Sequence, residues 1–139
     1  MEPLANGYLS DIAQQVGATS AFLGGFAATM LATLLALQAR GRAASWSIAA
    51  SAVAAVAFIA SVMGSLKLVA LTHPLAPASV SVGISGVVRA LGFLPFIVGL
   101  FALLVSIGAS GFLRSKRMGW GTSGLAAVGA LMVIWSITV

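Results

Sequence analysis

The chain has 139 residues, 60% of them hydrophobic and 6% charged, with a formal net charge of +5 and a mean hydropathy of +1.13. A soluble domain carries about 25% charged residues, so two acids and seven bases cannot solvate a globular surface of this size, and lipid or other protein must cover most of it. The absence of cysteine excludes disulfides, thiolate catalysis and thiolate metal sites. Basic residues standing singly or in short clusters between apolar runs are topology signals rather than a nucleic-acid footprint.

A membrane span needs about 20 apolar residues, and four such runs use up the chain. In a bilayer the backbone must satisfy its own polar groups, so each run reads as a helix. The expected fold is all-α: a polytopic membrane protein, one domain over 1–139, with four transmembrane helices at about 18–38, 45–69, 90–113 and 119–138 in a small bundle. Before the first span, Leu4, Tyr8, Leu9, Ile12 and Val16 fall on one face, either of a short interfacial helix or of a simple extension of span one. Glu2, Pro3, Asn6 and Asp11 stand where a signal peptide would carry positive charge, so the first apolar run is expected to be retained.

Small residues let helices approach closely in lipid. Span one has a row four residues apart, Ser20, Gly24, Ala28, Ala32 and Ala36. Beside it runs Gly17, Ala21, Gly25, Thr29 and Thr33. Span two has Ala50, Ala54, Ala57, Ser61 and Gly64. The helix-packing residues are expected at Ser20, Gly24, Ala28, Ala32, Ala54, Ala57 and Ser61, between these two helices or against copies from other subunits. The connection 72–85, with Pro74 and Pro77, is apolar enough to lie on the membrane surface or pack on the bundle. In span three Pro95 removes a backbone bond and is expected to kink the helix. The bulk of Phe93, Phe96 and Phe101 suits an outer, lipid-facing position. Span four mixes Gly121, Gly124, Ala126, Gly129 and Ala130 with larger residues.

Arg40 and Arg42 lie between spans one and two, and Arg114, Lys116 and Arg117 between spans three and four. Both loops fall on one side, so the positive-inside rule predicts cytoplasmic loops and both termini outside, in a bacterial inner membrane. Trp46 and Trp120 follow the basic loops as interfacial anchors, and Trp135 sits near the far end of span four.

With one histidine, one aspartate and one glutamate, no catalytic constellation or metal site is expected, and no cofactor. His73 reads as a loop histidine or, less plainly, a pH sensor. Lys67 either snorkels to the interface or, with Arg89, forms a basic group at a pore mouth or lipid site. Arg114, Lys116 and Arg117 are candidate contacts for anionic lipid. Thr29 and Thr33 either bond back to their own helix or line a pore face in a ring of subunits.

The run Thr19-Ser20-Ala21-Phe22-Leu23-Gly24-Gly25-Phe26-Ala27 resembles the start of the pore helix in Orai calcium channels, four-span proteins that ring six pore helices around an axis. The resemblance covers the first two spans and includes a proline, Pro74, just beyond span two. It implies pore-lining roles for Phe22, Gly25, Phe26, Thr29 and Thr33. Thr33 stands where the family has its filter glutamate, so calcium selectivity is not implied. The family's preceding basic cluster is missing, and its cytoplasmic termini are the reverse of the orientation expected here.

Two function classes follow. One is a non-catalytic integral membrane subunit that packs into a larger assembly through small-residue helix faces, with lipid, further copies of itself or other membrane subunits as partners. The other is a homo-oligomeric channel lined by span one, with a small-molecule transporter acting as an oligomer third.

Overall fold

The computed structural model describes residues 2–72 and 86–138, and the connection holding His73, Pro74 and Pro77 lies outside the described residues. Four helices account for nearly all of it: α1 (Glu2–Ala36), α2 (Arg42–Thr72), α3 (Gly86–Ser110) and α4 (Lys116–Thr138), with a 3-10 turn at Gly111–Leu113. All four are long and apolar enough to cross a membrane. The protein is an all-α membrane protein with four spans, as its composition demands. Of the two readings open for the N-terminal segment, the helix follows the extension: α1 is continuous from Glu2. α3 likewise runs through Pro95 without a break in the helix.

The helix ends are made by local chemistry. Gln38 takes the left-handed conformation (φ 47°), and the N–H groups of Gln38 and Ala39 bond the carbonyls of Leu35 and Leu34 at 3.0 and 3.3 Å. This is a Schellman stop with glutamine where glycine is usual. Gly41, at φ 106°, turns the chain into α2 and accepts from the Ser45 N–H at 3.1 Å. Ser115 caps α4, its hydroxyl accepting from the Met118 N–H at 3.1 Å.

The packing follows a seven-residue repeat. Among the described side chains of α2, the buried ones lie on one seam at alternating steps of three and four: Ala44, Ser47, Ser51, Ala54, Phe58, Ser61, Ser65 and Leu68. In α1 the buried residues Ala13, Ser20, Ala27 and Leu34 stand seven apart, and in α3 so do Gly92, Gly99 and Ser106. A seven-residue repeat is that of helices coiling left-handedly around one another. α1 and α3 both run antiparallel to α2 and pack along it, touching each other only briefly. α4 packs on α3 and the 3-10 turn and, among the described residues, does not reach α1 or α2.

Ala28 and Ala32 are exposed on the chain's surface, off the seam that α1 uses against α2 and open to a further helix. A four-residue step advances a helix by about 400°, so the row from Ser20 drifts about 40° at each step and has left the α2 seam by Ala28. α3 lies between α2 and α4 and still turns Leu94, Val98 and Val105 outward. Its glycines decide its place. A Cβ on Gly99 would come within 3.0 Å of the Phe58 ring, and one on Gly108 within 3.4 Å of the Ala126 methyl.

Among the described residues Phe58 is the largest fully buried side chain. Its Cβ lies 3.1 Å from where a Cβ on Gly24 would stand, and its ring meets Phe96 edge-on with centroids 6.1 Å apart at 65°. α2 thus inserts one aromatic knob between glycines of both neighbours.

Candidate functional site

Two hydroxyl ties flank this knob. Toward the α1–α2 connection, Ser47 Oγ donates to the Ser106 carbonyl at 3.0 Å, and Ser106 Oγ reaches the Ser47 carbonyl at the same distance. Ser51 Oγ lies 2.6 Å from Ser106 Oγ. One proton per hydroxyl satisfies all three bonds at once if Ser51 donates to Ser106. Met30 sulfur lies 3.7 Å from Ser106 Oγ, bringing α1 to the same point. Toward the other end, Ser20 Oγ donates to Ser61 Oγ at 3.0 Å, which donates to the Gly92 carbonyl at 3.0 Å. That relay links α1, α2 and α3. Ser65 Oγ, buried against Gly17, has no partner among the described residues.

These serines were not among the expected site residues, apart from Ser20 and Ser61. For Ser47, Ser51, Ser61 and Ser65 the sequence signal is the three-and-four spacing they share with Ala54 and Phe58 on α2. The ties are structural: interhelical hydroxyl bonds in membranes contribute about 0.6 kcal/mol on average and up to about 1.7. Ser106→Ala is expected to cost about 1 kcal/mol, because it strands the buried Ser51 hydroxyl, while Ser51→Ala with Ser106→Ala costs no more than Ser106→Ala alone. Thermal unfolding in detergent, followed by tryptophan fluorescence, checks this; losses that simply add would mean the two hydroxyls are not paired.

The residues that resemble a pore lining gather on one surface. Phe22, Gly25, Phe26, Thr29 and Thr33 are all exposed on α1, with Gly25 at the rim of a groove shared with Ala55, Ile59 and Val62 of α2. Thr29 Oγ1 donates to the Gly25 carbonyl and Thr33 Oγ1 to the Thr29 carbonyl, each at 2.8 Å, so both hydroxyls are satisfied within their own helix. Of the expected packing residues, Ser20, Ala54 and Ser61 are fully buried, and Gly24 and Ala57 are half-buried.

The candidate basic contacts divide between the two ends. Lys67 is exposed near the C-terminal end of α2, bordering a groove with Met63, Gly64, Ala70 and Pro95. Arg89 lies in the first turn of α3, its side chain outside the described part. Arg114, Lys116 and Arg117 are exposed at the α3–α4 turn, at the same end of the molecule as Arg40 and Arg42.

Because α4 stands off α2, a groove of about 460 Å³ opens between them. α3 floors it with Phe101, Leu104 and Gly108, Trp46 and Ala43 of α2 form one wall, and the small side chains Ala126, Ala127 and Ala130 of α4 form the other. Its one polar side chain, Ser123, is satisfied by the Gly108 carbonyl at 3.3 Å. Among the described residues no cluster of His, Asp and Glu is placed to hold a metal ion. No family model, curated protein or solved structure matches the chain.

Proposed function

We propose that this protein is a non-catalytic membrane subunit that docks into a larger membrane assembly through the outer face of α1. One observation carries this reading. Ala18, Ala21, Gly25, Ala28 and Ala32 are exposed and alternate in steps of three and four, so they form a second seam beside the one α1 uses against α2. Lipid tails gain nothing special from such a seam, whereas a second helix gains close backbone approach. Gly25 has open space where a Cβ would point. A sequence with one histidine, two acids and no cysteine offers little for catalysis. We take the end bearing Arg40, Arg42, Arg114, Lys116 and Arg117 as cytoplasmic, in a bacterial inner membrane with both termini outside, from the preference of Lys and Arg for the inner side.

The same outer face contains Phe22, Phe26, Thr29 and Thr33, which favours a second reading, a homo-oligomeric pore lined by α1. One experiment separates the two. The chain has no native cysteine, so Ala28→Cys is a clean attachment point for a thiol-linked photocrosslinker in native membranes. The subunit reading expects an adduct with a different polypeptide in fixed stoichiometry, abolished by Gly25→Trp. Adducts of the chain with itself alone would replace it with the pore reading, and no adduct at all would sink both.

A further inference from the structure

We propose that the groove between α2 and α4 seats one anionic phospholipid, an acyl chain lying along the groove and the phosphate held at the basic end. The lining is apolar, and its one hydroxyl is already bonded, so the groove recognises hydrocarbon rather than a polar solute. Its volume falls in the range of about 300–1,000 Å³ typical of ligand sites. Trp46 is exposed along its wall, where the indole can rest against a chain and still reach the interface.

The occupant follows from charge. The groove runs toward the end where Arg42 directly precedes the lining residue Ala43, and where Arg114 follows the lining residue Phe112 by two positions. Lys116 and Arg117 stand on the first turn of α4, which forms the opposite wall further along. All four are exposed. No acid lies at this end: Glu2 and Asp11 are in the opposite half of α1. A hydrocarbon slot ending in unopposed cations fits a lipid whose headgroup carries net negative charge. A zwitterionic lipid fills the slot equally well and gains much less from the cations.

The test uses the full chain with Trp120→Phe and Trp135→Phe, which leaves Trp46 as the sole indole, reconstituted in phosphatidylcholine vesicles. Bromine on an acyl chain quenches a neighbouring indole. Brominated phosphatidylglycerol is expected to quench Trp46 at a several-fold lower mole fraction than brominated phosphatidylcholine. Ala127→Phe fills the groove from an exposed wall position and is expected to bring the two curves together. Replacing Arg114, Lys116 and Arg117 by glutamine is expected to weaken the preference by up to about fivefold per charge.

Coincident curves in the parent protein would overturn the proposal. So would a preference that survives Ala127→Phe, since the anionic lipid would then be gathered by surface potential and not seated. Should that variant fail to reconstitute, native mass spectrometry of the unaltered chain decides: one retained phosphatidylglycerol per chain upholds the site, and none overturns it.

Discussion

Phe58→Ala is expected to destabilise the folded protein by about 2–3 kcal/mol, the largest loss from any single truncation in the chain. In a water-soluble core the same change costs about 3–5 kcal/mol, part of it for transfer from water and part for the cavity left behind. Separated helices in a bilayer already sit in hydrocarbon, so the transfer part falls away and the lost dispersion contacts remain. Those contacts are concentrated here: the ring is fully buried, slotted between Gly24 and Gly99 and edge-on to Phe96. Unfolding of the reconstituted protein by titration with a denaturing detergent measures the loss. Ile59→Ala is the control, because Ile59 is 60% exposed and its truncation is expected to be near neutral. Equal effects at the two positions would mean that Phe58 is not the seat of the packing.

Gly99→Leu attacks the same joint from the other side. A Cβ at this position would stand 2.9 Å from Phe58 Cε1 and 3.0 Å from Cδ1 and Cζ. The ring has little room to retreat, since Gly24 backs its Cβ and Phe96 its edge. Overpacking of this kind costs about 1–3 kcal/mol. Combining it with Phe58→Ala makes the argument sharper. The leucine then fills part of the space the ring vacated, so the double variant is expected to be more stable than the sum of the two single losses requires. Strict additivity would show that position 99 and the ring do not meet. Gly25→Leu, at the next position after Gly24 and about 100° around the helix, points into the open and is expected to leave the isolated chain's stability unchanged.

The four helices were legible in the sequence because the charges punctuate it: Arg40 with Arg42, and Arg114 with Lys116 and Arg117, mark the turns that the structure contains. Ala54 and Ser61 were legible as packing residues because their row on α2 alternated steps of three and four and so stayed on one face. The row from Ser20 to Ala36 steps in fours and therefore winds off the α2 seam, where Ala27 and Leu34 are the buried residues. The phenylalanines of α3 suggest bulk turned to lipid, yet glycine at 92, 99 and 108 brings the helix against its neighbours. The positions of the serines on α2 follow from their spacing, but the ties they make do not. A helical hydroxyl bonds equally well to its own carbonyls, as Thr29 and Thr33 do, and only the facing helix decides otherwise for Ser47, Ser51 and Ser106. The groove beside Trp46 exists because α4 is offset from α2, a relation between helices that no single segment encodes.

The helices are of unequal length. α1 has 35 residues and α2 has 31, which at 1.5 Å per residue makes them about 50 and 45 Å long. α4, with 23 residues, reaches about 35 Å. A hydrocarbon core is about 30 Å thick, so α4 crosses it with ordinary tilt, while α1 at a tilt of 40° would still overshoot it. The two short connections hold all four helices level at the basic end, so the whole excess emerges at the other. There the bilayer must thicken along one flank of the protein only, or the tips of α1 and α2 must stand clear of it as a two-helix post clasped by Ala13, Gly17 and Ser65. Either way the protein presents a tall side and a short side to its surroundings.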